Sequence, residues 1–196
     1  MVERKQLDLK FVMMKDIFDI KEVANLVRLE NEYDLEKASL LERKLRLMID
    51  DNTDLKPIRK KLRDLIKEYE DREWSDFDTI TDSKVENSDK AEEIVNYEQK
   101  FIDKRKNAIR KKLKKYDMTQ QDLGVILGHP KSYMSELING VSQFTLKDLV
   151  IIHRILRINL DILIPTFLQS ETRDKLKDSI EKLNNPKLKL RKTELV

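Results

Sequence analysis

The stretch TQQDLGVILGHPKSYMSELING, residues 119–140, decides how this chain is read. Two short amphipathic helical patterns meet there across a tight turn. The first runs from Thr119 to Leu127 and sets Leu123, Ile126 and Leu127 on one face. The second runs from about Pro130 to Ile138 and turns Met134, Leu137 and Ile138 inward. Gly128 between them suits the positive φ that ends a helix. Thr119 is placed to cap the first helix, with Asp122 three residues on in the capping-box position. Pro130 suits a first helical position, where no backbone N–H is needed. All three glycines of the chain, Gly124, Gly128 and Gly140, lie in this stretch. Gly124 sits inside a helix, where glycine costs roughly 0.5–1 kcal/mol relative to alanine. A position without a side chain there implies that the second helix crosses close to the first.

The pattern resembles the lambda-repressor-like helix-turn-helix, in which Thr-Gln-x-x-Leu-small-x-x-Leu-Gly precedes a recognition helix ending Asn-Gly. Thr119, Gln120, Leu123, Gly124, Leu127, Gly128, Ser132, Tyr133, Ser135, Leu137, Asn139 and Gly140 carry the match. His129-Pro130 departs from it, since the family has an apolar residue and then Ser or Thr. In this motif the second helix lies in the major groove and its outward residues face base edges. Here that face is Lys131, Ser132, Ser135 and Glu136. Lysine donates to guanine O6 or N7, serine donates or accepts, and glutamate accepts from cytosine N4. Tyr133 lies on the flank, within reach of a phosphate or a thymine methyl. By the resemblance Gln120 bonds the DNA backbone, and Asn139, Ser142, Gln143 and Lys147 stand where the family also touches phosphate. Such contacts set register and carry no sequence information.

Outward from this stretch the chain reads as all-α. Asp89 to Lys115 is expected to form a helix whose later part supplies Ile109 and Leu113 to a core beside a dense row of Lys and Arg. After Gly140, Thr145 caps a helix with Asp148 in the capping-box place and a stripe of Leu146, Leu149, Val150, His153 and Leu156. His153 falls in that stripe and is expected to be a packed histidine, not a metal ligand. Leu160 to Leu168 reads as a last short helix, interrupted by Pro165. Five helices between about 104 and 168 agree with the lambda-repressor-like domain.

Nearer the N-terminus, Asn31 caps a helix with Tyr33, Leu40, Leu41, Leu45 and Met48 along one stripe. A polar cluster at 50–53 ends it. A second stripe of Leu55, Ile58, Leu62, Leu65, Ile66 and Tyr69 follows, so the two helices should form an antiparallel hairpin. Residues 73–89, rich in Asp, Ser and Thr, read as a linker crossed by few packing contacts. Trp74 and Phe77 within it are expected to fold back on the hairpin; the other reading is that they anchor a partner. Leu7, Leu9, Phe11 and Met13 alternate as in a short strand, while Phe18, Val23, Leu26 and Val27 fit a helix. The expected organisation is an acidic helical region with its linker at 1–88, a DNA-binding domain at 89–170 and a basic extension at 171–196. The extension begins as a helix with Leu176, Ile180 and Leu183. Beyond Asn185-Pro186, Lys187 to Lys192 read as an edge strand or a basic arm.

The net charge of +3 hides an asymmetry. Residues 1–95 hold 19 basic and 25 acidic side chains, net −6, and residues 96–196 hold 21 and 12, net +9. A basic half suits a polyanion, and an acidic half suits a basic partner. The chain has no cysteine and two histidines, which excludes disulfides, thiolate chemistry and cysteine-ligated zinc. No nucleophile–base pair, glycine-rich phosphate loop or metal cluster is legible, so neither an enzyme nor a cofactor is expected. With no apolar run long enough for a membrane span and no signal peptide, a cytoplasmic protein is expected.

A longer resemblance covers about residues 29–168. ENEYDLEKASLLERKLRLM, then LKPIRKKLRDLIKEYEDREW, then the helix-turn-helix segment are similar to HigA-type antitoxins. These show Glu-x-Glu/Gln-Tyr before one helix, a Leu-rich helix ending Tyr-Glu, and a C-terminal repressor-like domain. The resemblance implies a homodimer that binds double-stranded operator DNA and neutralises a cognate mRNA-cleaving toxin. The other reading is a phage- or plasmid-type repressor without a toxin partner.

Overall fold

The computed structural model describes residues 19–50, 52–165, 168, 170–185 and 187–188. Among them every regular element is helical, as expected from the patterning. The alternating segment at residues 7–13 and the arm beyond Leu188 lie outside the described residues.

Asp19 caps a single turn, α1 (Ile20–Val23), by accepting from the Lys21 amide. Asn31 then caps α2 (Glu32–Met48), its side chain accepting from the Asp34 amide at 2.9 Å. Leu35, Ala38, Leu41, Leu45 and Met48 form the buried stripe of α2. It faces Leu55, Leu62, Leu65 and Tyr69 of α3 (Leu55–Glu73) in the expected hairpin. Pro57 is harmless in α3 because it lies in the first turn, where amides have no intrahelical partner. Leu45 and Leu62 are fully buried, each contributing roughly 1.5–3 kcal/mol relative to exposure. Tyr69 closes the far end by donating its buried hydroxyl to Glu32 at 2.9 Å, and Trp74 Nε1 donates to the same carboxylate at 3.1 Å.

The expected linker is much shorter than its composition suggests. One 3₁₀ turn at Phe77–Thr79 separates α3 from α4 (Asp82–Lys115), which starts before residue 89. Thr81 caps α4, Lys90 pairs with Glu86 one turn away, and Ala91 and Val95 bury against α2. Burial from Ala91 onward anchors the helix, and its largely exposed first turns extend from there despite the low propensity of Asp, Ser and Asn. Contacts also cross the joint, because Lys84 reaches back to the Glu73 carboxylate and over the Trp74 ring. Trp74 packs on the hairpin core as expected, whereas Phe77 stays 85% exposed.

At about 1.5 Å per residue the 34 residues of α4 run some 50 Å. One helix therefore reaches along both units. Its first half lies on α2, and its second half places Ile109 and Leu113 in the core of the C-terminal unit. That unit is completed by α5 (Gln120–Leu127), α6 (Lys131–Asn139), α7 (Leu146–Leu156) and α8 (Leu160–Leu163). The five-helix count holds, with α8 shorter than the expected span to Leu168, because the residue before Pro165 is pushed to extended backbone (Ile164 ψ 127°). His153 is half-buried, and its Nδ1 lies 2.7 Å from the Ile158 carbonyl, which fastens the turn after α7. Last comes α9 (Ser170–Leu183).

Candidate nucleic-acid interface

The turn between α5 and α6 is built as its residues dictate. Thr119 and Asp122 form a reciprocal capping box at the start of α5, and these hydrogen bonds hold the Asp122 carboxyl below its usual range. Gly128 ends α5 at φ 77° in the left-handed region. A Cβ on Gly124 would lie 2.8 Å from Met134 Cγ and 2.9 Å from the His129 carbonyl oxygen. The two helices thus cross at a distance that only glycine permits, as its place in the sequence implies. Pro130 takes the N-cap place, one residue earlier than expected, with extended backbone and no side-chain cap. His129 links α6 to α7 instead. Its Nε2 stands 3.1 Å from Asp148 Oδ1, in the capping box of α7. Burial raises the Asp148 carboxyl, but hydrogen bonds from Thr145, together with the nearby His129 imidazole, outweigh it and hold the group low.

Met134, Leu137 and Ile138 are buried, so α6 offers the expected opposite face. Lys131 and Ser132 are exposed at its N-terminus, with Ser135 half-exposed one turn on. Gln120 is half-exposed at the head of α5, and Lys147 and Gln143 are exposed beyond α6. These residues share the solvent-facing side of the helix-turn-helix, the side expected to meet DNA.

Four of the expected contact residues are engaged within the protein. Glu136 is only 8% exposed; Ser142 Oγ donates to its Oε2 at 3.1 Å, and Asn52 Nδ2 lies 3.5 Å from its Oε1. Burial pushes the Glu136 carboxyl up, against the hydrogen bond from Ser142. Glu136 therefore leaves the base-reading face, and the buried Ser142 leaves the phosphate-contacting set. Helical spacing does point Glu136 away from the core of its own domain. The turn after α6 and the α2–α3 hairpin fold over it, which spacing cannot reveal. Asn139 donates to the Ser135 carbonyl at 2.8 Å and accepts from Lys106 at 2.7 Å. Tyr133 accepts from Lys21 at 3.3 Å, which raises the Lys21 ammonium, and meets the edge of His129.

Sequence reasoning missed this docking of the N-terminal unit. The Ile20 amide donates to the Val141 carbonyl at 3.2 Å, and the Gln143 amide donates to Asp19 at 3.4 Å. Lys44 Nζ donates to the Gly140 carbonyl at 3.4 Å, and Val141 belongs to the hairpin's core. A Cβ on Gly140, at φ 65°, would strike Ile102 of α4 at 2.6 Å. The loop after the recognition helix is thus clasped from both sides by elements far away in sequence.

No described helix is long and apolar enough to cross a membrane. Comparisons with curated proteins and with solved structures return no match. A family model described as Helix-turn-helix matches residues 109–163, from the last two turns of α4 to the end of α8. Residues 109–163 are a DNA-binding helix-turn-helix domain of the type found in transcription regulators.

Proposed function

We propose that this chain is the antitoxin and operator-binding repressor of a toxin–antitoxin operon, acting as a homodimer and by binding, not catalysis. The observation that carries the reading is the joining of a basic helix-turn-helix domain to an acidic helical unit with an exposed aromatic. Phe77 projects 85% exposed between Asp76 and Asp78, with Asp71, Asp82 and Glu86 also exposed nearby in sequence. An exposed ring in acidic surroundings suits a basic partner such as an RNA-cleaving toxin, the ring filling a pocket and the carboxylates meeting its RNA-binding charge. The similarity of residues 29–168 to HigA-type antitoxins points the same way. A single helix-turn-helix needs a second copy to span half-sites about 34 Å apart, hence the dimer.

The test is co-expression with the product of the adjacent gene. The two proteins should co-purify, growth should be restored, and Phe77→Asp should weaken both effects. The same chain should shift DNA from upstream of its gene in a salt-dependent manner. A shift without any complex or rescue would leave a repressor with no toxin partner. No shift at low salt would count against both roles.

A further inference from the structure

Between the hairpin, the middle of α4 and the loop after α6 lies a cavity of about 290 Å³, walled by both units. That is the lower end of the roughly 300–1,000 Å³ typical of small-molecule sites, which favour such junctions. Leu41, Ile102, Phe101 and Phe144 give it an apolar lining. Its charged residues are Lys37, Lys44, Arg105 and Glu98. Glu98, the one acid, is already engaged, since it pairs with Lys37 and accepts from Tyr33 at 2.8 Å. Lys44 and Arg105 form no ion pair among the described residues.

Their hydrogen bonding is also largely unmet. Lys44 has three donors and, among the described residues, gives one long bond, 3.4 Å to the Gly140 carbonyl. Arg105 has five donors and, among the described residues, gives one, 3.5 Å to the Leu163 carbonyl. The rings of Phe101 and Phe144 lie near the guanidinium, with centroids at 5.5 and 5.4 Å. The buried side-chain oxygen of Gln99, also on the wall, lacks a hydrogen-bond partner among the described residues and, as an acceptor, calls for a donor and not for a carboxylate. Lys44 and Arg105 are half-buried, and cations set against apolar walls ordinarily come paired.

We propose that this cavity binds a small organic acid, its carboxylate held between Lys44 and Arg105 and its apolar body against Phe101, Phe144 and Leu41. Burial accords with the proposal, pushing the Lys44 ammonium down to about 8, with Lys37 adding to the effect, and the Arg105 guanidinium down to about 10. A carboxylate would relieve both and convert idle donors into charge-assisted hydrogen bonds.

Calorimetric titration of the full chain with octanoate and 3-phenylpropionate, and with their neutral primary amides, tests this without DNA or toxin. Its outcome is therefore separate from that of the function proposed above. At least one acid should bind saturably, and its amide at least about tenfold more weakly, the value of one charge-assisted hydrogen bond. Lys44→Met and Arg105→Met should each weaken the acid by a similar factor while keeping the helical circular dichroism of the parent. Lys67→Ala, on the exposed side of α3 and outside the cavity wall, should bind as the parent does. Absence of saturable binding by either acid in the unaltered chain overturns the proposal. So does equal binding of acid and amide, or full affinity in a folded Lys44→Met variant.

Discussion

Ser142 donates its hydroxyl to Glu136 at 3.1 Å, and both side chains are buried where the hairpin meets the recognition helix. Two residues that the motif assigns to DNA thus satisfy each other. Glu136→Ala should lower stability by about 1–3 kcal/mol, the cost of orphaning the Ser142 hydroxyl and the Asn52 amide. Operator preference should stay as it was. Urea unfolding and competition gel shifts measure the two effects; unchanged stability with altered base preference would return Glu136 to the DNA face.

The same carboxyl makes a pH prediction. Burial raises its folded value above the ordinary 4.5, so the folded state holds the proton more tightly than the unfolded chain does. Its unfavourable contribution is absent in acid and grows as pH climbs through about 4.5 towards the raised value. Glu136→Gln keeps a hydrogen-bonding amide and removes the charge. Relative to the parent, it should gain stability as pH rises from about 4 to about 7. A difference that stays level across a pH series of urea midpoints would contradict the raised carboxyl.

Lys131 and Gln120 should separate base reading from backbone contact. Lys131→Ala should change the ranking of operator variants by about 1–3 kcal/mol at one base position. Gln120→Ala should weaken every variant alike, since a phosphate bond carries no sequence information. Binding assays on a panel of single-base operator variants give both readouts. Uniform weakening by Lys131→Ala would move that lysine to the phosphates.

Gly124→Ala probes the crossing of α5 and α6. The added methyl meets Met134 Cγ at 2.8 Å and the His129 carbonyl oxygen at 2.9 Å, and the second of these is backbone. Overpacking of this kind costs typically about 1–3 kcal/mol, more than alanine's better helix propensity returns. The expected result is a lower urea midpoint and weaker operator binding, because the recognition helix must shift to make room. A variant as stable as the parent would show that the crossing can open freely.

What could be read without tertiary structure was whatever near neighbours decide. The caps at Asn31, Thr119 and Thr145 and the left-handed Gly128 are bonds or angles within four residues, and each appears as expected. The hairpin stripes and the core of the helix-turn-helix follow from helical period alone. The stretch at 82–88 misled because its Asp, Ser and Asn content is a local signal, while these largely exposed residues continue a helix that burial anchors from Ala91 onward.

The sequence by itself determined that the chain is helical, where most of its helices start and stop, and that residues 119–140 form a helix-turn-helix. Tertiary structure alone decided which outward residues of α6 stay outward. Glu136 meets Asn52 across 84 positions and Gln143 meets Asp19 across 124, distances over which no periodicity carries information. It also laid the first half of α4 on α2 while its second half entered the C-terminal core, and gathered Lys44, Gln99 and Arg105 around one cavity. Local sequence sets backbone conformation through steric and hydrogen-bond preferences of adjacent residues. The docking of one helical unit on another is set by how their finished surfaces fit, and only the folded chain presents those surfaces.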